Sequence, residues 1–438
     1  MKTAVLVTYH WPASGGAGVY RWLKMAKYLP DFGWNVVVLT PANPERPVVD
    51  ESLLQDVRAD QRVLEQRVWE PYGVYRLLSG RRREERVYSG FIREDRSKDT
   101  RIVDGLAAWA RGNLLIPDPR RFWVRPAVRL LRRELASLQA DALITNGPPH
   151  SVHLIGLKVA AATGKPWIAD FRDPWSRVHF SYKLRLTPPA RWLHARLERQ
   201  VTQRAARVVT VSRIWAGQFE EISGRSVEVI PNGFDPADFP PEAMSDGEPL
   251  TIGYFGSMGA DRNPAVLWRA LAALRRTGAT GADRIRVRLY GAVDATVRAS
   301  AEAYGVADQV ELCPYLPHRE AVEAMRRTSL LLLVVNRERD AEGAVPGKLY
   351  EYFASGRPTL LIGHEHGDAV RILRECGAGW ATGYESESEV GAVLRRLLAS
   401  PWLEPVSDSR IDSYSRRSLA GRYAALLDAT VAEEAMRT

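Results

Sequence analysis

The sequence predicts an α/β protein made of two successive doubly wound domains, on three observations. Short apolar runs alternate with helix-period segments along most of the chain. The alternation breaks between 235 and 249 and then restarts, and 438 residues exceed what one hydrophobic core normally serves.

The elements follow in order. Residues 3–8 (TAVLVT) form a buried-strand run, and a loop holding Gly15 and Gly16 leads to Val19, Trp22, Leu23, Ala26 and Leu29, one face of a helix. Residues 35–39 (NVVVL) make the next strand, so the chain opens with a βαβ unit and a parallel sheet. Runs at 142–145, 167–170, 208–211 and 227–230 complete a first domain over 1–235. Residues 236–249, rich in Pro, Asp and Glu, read as a linker. Strands at 251–255, 286–290, 310–312, 330–335 and 359–362 then build a second domain over 250–415, with helices at 264–275, 319–327, 348–355 and 368–376. A helical stretch at 416–436, in a final segment 416–438, has no strand after it.

Residues 65–135 depart from the scheme. They carry many Arg, Trp and Tyr without strand alternation, as in GRRREERVYSGFIRE and WARGNLLIPDPRRFWVRP. Two readings stand: a solvated helical insertion, or an acceptor or membrane surface where aromatics insert and arginines such as Arg81, Arg82, Arg83 and Arg86 meet phosphate.

Composition narrows the function classes. With 45% hydrophobic and 26% charged residues the chain is globular rather than disordered. Two cysteines, Cys313 and Cys376, are too few for a disulfide framework and fit a reducing compartment. The apolar run in MKTAVLVTYHWP is short for a secretory signal, and the run 330–335 is far below the ~20 residues that span a bilayer. A cytoplasmic protein is expected, with peripheral contact at the inner membrane face as the variant reading. The net charge of +9 suits an acidic partner, and the absence of zinc-ligand, RNA-binding or helix-turn-helix patterns sets nucleic acid aside.

Two stretches carry chemistry. In TYHWPASGGAGVYRWLK two glycines precede a helix, where backbone amides and the helix terminus favour phosphate, although the spacing is not GxGxxG. In VPGKLYEYFASGRPTLLIG, Pro346 and Gly347 turn the chain into a helix at Lys348, whose charge and neighbouring amides suit a diphosphate. Glu351, on the first turn, suits ribose hydroxyls or serves as a dipole-favoured capping residue. In PPHSVHLIG, His150 and His153 enter a helix. In DFRDPW, Asp173 lies at a strand's carboxyl end, where such sheets bind ligands, and Asp170, Arg172 and Asp173 are alternatively a structural ion-pair cluster.

With these motifs the chain resembles, over nearly its whole length, the GT-B retaining glycosyltransferases of family 4, also called group 1. TYHWPASGGAGVYRWLKMAKYLPDFGWNVVVLT, PPHSVHLIGLKVAAATGKPWIADFRDPW, VVTVSRIW, VEVIPNGFD, IGYFGSM and GKLYEYFASGRP follow in that family's order. The resemblance implies two Rossmann-like domains facing each other across a cleft, a nucleotide bound mainly by the second, and a last helix crossing back to the first domain. It implies that Gly16, beside Gly15, meets the donor phosphate through its amide, and that Glu351 is the ribose-binding second glutamate of an E-x7-E pair. Gly343 stands where the first glutamate is expected, with Glu342 one residue early. Ser257 replaces the family's diphosphate-binding arginine, so Arg262, near the family's lysine position, and Lys348 are the expected substitutes. Tyr315, Leu316, Gly347 and Leu349 complete the donor contacts. The resemblance places His150 or His153 near the transferred sugar, and Asp173, from its position at the strand end, is expected to orient or activate the acceptor hydroxyl. No metal or cofactor is implied beyond the nucleotide diphosphate sugar, which serves as donor substrate. The acceptor is a glycolipid, a polysaccharide precursor or a small secondary metabolite. Two rivals share the architecture: a nucleotide-sugar 2-epimerase, and a degenerate nucleotide-sugar-binding protein.

Overall fold

A computed structural model describes every residue except 16, 46–48, 70–104, 106–107, 178–183, 240–249, 401, 405, 407 and 437–438. Gly16, the arginines at 81, 82, 83 and 86, and most of the expected linker therefore lie outside the described residues. The chain divides into two compact units, residues 1–231 with 419–438, and residues 232–418.

In the first unit the strands are β1 (Lys2–Thr8), β2 (Trp34–Pro41), β3 (Val63–Gln66), β4 (Ala142–Gly147), β5 (Trp167–Phe171), β6 (Arg207–Thr210) and β7 (Glu228–Val229). Helices α1 (Ala17–Tyr28), α2 (Val124–Ser137), α3 (Ser151–Thr163), α4 (Pro188–Arg204) and α5 (Arg213–Ser223) lie between them. The sheet order is β3-β2-β1-β4-β5-β6-β7, with all pairings parallel. Val5 is opposite both Val37 and Leu143, so β1 is central, and Ala4 to Val7 are wholly buried, as the unbroken apolar runs of parallel sheets covered on both faces require.

The second unit repeats the plan. Its strands are β8 (Thr251–Phe255), β9 (Arg286–Tyr290), β10 (Val310–Cys313), β11 (Leu330–Val334), β12 (Thr359–Ile362) and β13 (Gly379–Thr382), in the parallel order β10-β9-β8-β11-β12-β13. Its helices are α6 (Ala265–Arg276), α7 (Ala295–Ala303), α8 (His318–Arg326), α9 (Lys348–Ser355), α10 (Asp368–Glu375), α11 (Glu387–Ala399) and the short α12 (Ser409–Asp412). Helix α9 stops at Gly356, whose φ of 74° is open to glycine and strained for other residues. The two ends of this unit are tied together: Phe234 N–H donates to Tyr414 O at 3.2 Å, and Arg416 N–H to Phe234 O at 2.7 Å.

The last helix, α13 (Arg416–Ala435), returns to the first unit. Its Leu419, Tyr423 and Leu427 are fully buried in one core with Leu6, Trp22, Ile144 and Ile168. Lys2 pairs with Asp428 at 2.7 Å, and Arg422 donates to Val229 O. No helix among the described residues is long and apolar enough to cross a membrane.

Candidate functional site

Each sheet reverses its strand order at one point, between β1 and β4 and between β8 and β11. In open parallel sheets ligands bind outside the carboxyl ends of the strands at that reversal.

In the second unit the loop after β8 carries Ser257 and Arg262, and the chain leaving β11 carries Asn336. Arg262 Nε donates to Asn336 Oδ1 at 2.5 Å, and its Nη1 to Ser257 O at 3.4 Å. Asn336 is itself anchored by its carbonyl, which accepts from Tyr384 Oη at 2.8 Å and lies 3.0 Å from His364 Nε2. Arg262 therefore occupies the strand reversal on a rigid support. The hydroxyl of the buried Tyr254 is pushed up by burial, and the charge and hydrogen bond of Arg262, followed by the charge of Lys348, oppose that rise.

Lys348 and Glu351 lie side by side on the first turn of α9, Nζ to Oε2 2.8 Å, each partly exposed. Beside Gly347 there is open space at the position a Cβ would take. Leu349, expected among the donor contacts, is a core residue instead, with its side chain wholly buried. Its amide donates to Pro346 O and that of Tyr350 to Gly347 O. This tight turn engages the amides of Leu349 and Tyr350, and Lys348 brings the positive charge to the helix terminus. Glu342 holds its loop in place through its carbonyl, which accepts from Asp368 N–H at 2.9 Å.

The loop after β10 exposes Tyr315, while Leu316 packs partly against the core. At the start of α8, His318 Nε2 is 3.3 Å from Asp238 Oδ2. The hydrogen bond to Asp238 holds this imidazole above its ordinary pKa, against burial, and the Glu351 charge adds to the rise. Asn336, His364, His318 and Asp238 escaped the sequence reading, since each is defined by a partner 28 to 80 positions away.

In the first unit the histidines of PPHSVHLIG separate. His153 is wholly buried: its Nδ1 is 2.9 Å from Thr145 Oγ1, which also accepts from Trp167 Nε1, and its ring stacks on Phe171 at 4.1 Å. It is a core residue, packed under Gly147, where an added Cβ would lie 2.4 Å from Nε2. His150, half-buried, stacks flat on Trp175 with centroids 5.1 Å apart. Burial lowers its pKa to about 4, so it is neutral near pH 7. Trp175 is fixed in turn, its Nε1 donating to His194 Nδ1 at 3.0 Å, with His194 Nε2 3.2 Å from Gly112 O.

DFRDPW also divides. Asp170 is fully buried and accepts from Arg21 Nε at 2.9 Å and Trp22 Nε1 at 3.0 Å, while Arg21 Nη1 donates to Pro231 O. Asp173 is partly exposed and pairs with Arg172 at 3.2 Å. The three residues thus form two separate pairs rather than one cluster, because Arg21 reaches Asp170 from α1. Beside them is His10, after β1, whose pKa is lowered to about 3 by burial and by the charges of Arg172 and Arg120. A Cβ on Gly18 would meet Arg172 Nη1 at 2.7 Å and His10 at 3.1 Å, so this glycine admits both side chains to the carboxyl end of β1. Gly15 lies in the same loop.

Comparison with known proteins agrees with this architecture. The structure is similar to sucrose-phosphate synthase from Thermosynechococcus elongatus (TM-score 0.61, 13% identity, 99% of this chain and 100% of the other covered). It is similar to a trehalose-6-phosphate structure from E. coli bound with UDP-2-fluoro glucose (0.57, 11%, 97% and 99%). A third is the lipopolysaccharide outer core galactosyltransferase WaaB in its apo form (0.56, 14%, 98% and 99%). No curated protein matches the sequence. The model of the glycosyl transferase 4-like domain matches residues 15–233. Half of the chain under that model, and the GT-B fold over nearly all of it, make this protein a glycosyltransferase of the glycosyl transferase 4-like family.

Proposed function

We propose that the chain is a retaining, metal-independent glycosyltransferase using a UDP- or GDP-linked sugar. The observation that carries this is that the two strands at the reversal of the second unit, β8 and β11, lead respectively to Arg262 and to the Lys348–Glu351 pair at the start of α9. Two cations meet the diphosphate, and the carboxylate accepts from the ribose hydroxyls. Positive charge at that place stabilises the roughly two negative charges that the leaving nucleoside diphosphate gathers as the glycosidic bond breaks. The neighbour bound with UDP-2-fluoro glucose supports this donor class.

In the transfer, the acceptor oxygen bonds to the anomeric carbon on the face from which the β-phosphate oxygen departs. The acceptor proton passes to that phosphate oxygen, so no strong side-chain base is required. Of the two histidines, His150 is the one available to a sugar hydroxyl, as a neutral hydrogen-bonding group. Asp173, paired with Arg172, orients the acceptor hydroxyl, which belongs to a glycolipid, a polysaccharide precursor or a secondary metabolite.

Slow donor hydrolysis across a panel of UDP and GDP sugars tests the reading. Release of the α-anomer supports it. An epimerised sugar would point instead to a 2-epimerase, and tight binding without turnover to a nucleotide-sugar-binding protein.

A further inference from the structure

The chain has 13 tryptophans, and the three exposed ones, Trp69, Trp109 and Trp192, all belong to the first unit. With Phe122 and Leu114 they are 37% to 61% exposed, and large apolar groups gathered in water mark a contact surface. Side-chain and backbone contacts join the segments that carry them. Trp69 meets Phe122 edge to face at 4.7 Å, and the adjacent Arg121 donates to Leu114 O. Asn113 donates to Trp109 O and accepts from Thr187 N–H at 2.7 Å, immediately before α4, whose second turn exposes Trp192 under Arg196.

Around Trp109, Leu114, Phe122 and Trp192 the charges are one-sided, although the segment that carries Trp69 also holds Glu65 and Glu70. Residues 109–125 and 185–199 hold eight arginines and two carboxylates, Asp118 and Glu198. Both carboxylates turn inward. Asp118 accepts from Ser151 N–H and Oγ, and the buried Glu198 accepts from Trp175 N–H and from Ser176. Arg120 is buried as well, and what faces outward is chiefly Arg121, Arg125, Arg185, Arg191, Arg196 and Arg199 among tryptophan, phenylalanine and leucine.

The geometry points to a docking surface for an anionic lipid bilayer on the first unit. Tryptophan and leucine enter the headgroup boundary, and Arg121, Arg125, Arg191 and Arg196 meet lipid phosphates. Exposed Leu114 favours lipid over nucleic acid, which offers aromatic stacking but little to an aliphatic side chain. The surface stands independently of the transfer chemistry; only the narrowing of the acceptor to a lipid-carried one rests on the proposed transferase reading.

The test is sedimentation of the full chain with vesicles of phosphatidylcholine, with and without a third of phosphatidylglycerol. Binding to the anionic vesicles at low salt is expected, weakening as salt rises, with quenching of tryptophan fluorescence by brominated acyl chains. The double variant Trp192→Ser with Leu114→Ser, both exposed, should lose most of the quenching. Arg121→Gln with Arg196→Gln should lower the partition coefficient roughly tenfold or more. Nucleotide calorimetry on the same variants should match the parent, which separates this surface from the donor site. Absence of parent binding at low salt, binding indifferent to both double variants, or retention on single-stranded nucleic acid that the variants abolish without any vesicle binding would each overturn the proposal.

Discussion

Glu351→Gln separates the ribose role of this carboxylate from a merely structural one, because of where Lys348 lies. The two side chains are 2.8 Å apart and 34% and 21% exposed, so as a partly solvated pair they add at most about 1 kcal/mol to stability. The ribose hydroxyls of a bound nucleotide would donate to a charged acceptor, an interaction typically worth about 1.5–3 kcal/mol. The variant should therefore melt close to the parent and lose roughly 10- to 150-fold in affinity for UDP or GDP, whichever the parent binds. It also releases Lys348 from its partner, so inorganic pyrophosphate should bind as well as before or better. Lys348→Gln should show the opposite pattern, losing pyrophosphate far more than free nucleoside. Isothermal calorimetry with nucleotide, nucleoside and pyrophosphate reads all three. Equal losses for nucleotide and pyrophosphate in Glu351→Gln would refute the ribose assignment and return the residue to capping the helix.

The two aspartates of DFRDPW should differ sharply: Asp170→Ala leaves Arg21 charged and buried and should cost about 3–5 kcal/mol, whereas Asp173→Ala should cost under about 1 kcal/mol, both read by chemical denaturation. Gly147→Ala forces a Cβ to 2.4 Å from a histidine ring already stacked on Phe171, so a loss of about 1–3 kcal/mol is expected, and an unchanged melt would count against the packing described. His150 has a folded pKa of about 4 against an ordinary 6.5, so the fold favours its neutral form. Its contribution is present above pH 6.5 and is lost as pH falls from 6.5 through 4, by up to about 3 kcal/mol at 1.36 per unit. Parent and His150→Gln should converge in stability across that window, and parallel curves would exclude the burial described.

The parallel strands were legible because a strand covered on both faces must be apolar throughout, as VVVL in β2 and LLLLV in β11 are. β3 and β13 were missed for the converse reason: VLEQ and GWAT are short, mostly half-exposed segments at the sheet edges, with no such run. The place of Lys348 and Glu351 on the first turn of a helix was legible because both lie in one short segment opened by Pro346 and Gly347. His153 was misjudged because a histidine two residues inside a helix looks alike in sequence whether it faces a ligand or Thr145. The support of Arg262 by Asn336, and of His150 by Trp175 and His194, depends on long-range folding that no local pattern records.

The return of α13 gives the protein an unusual order of assembly during synthesis. Domains commonly fold from the N-terminus as they emerge, yet here the core around Leu6 and Trp22 also needs Leu419, Tyr423 and Leu427. After Pro231, another 196 residues must be added to reach Leu427, roughly 10–40 s at ordinary elongation rates. The second unit, continuous in sequence and tied at Phe234 and Arg416, can close before the first. For that interval the nascent chain carries an unfinished apolar face, open to a chaperone or to another copy, until α13 leaves the ribosome.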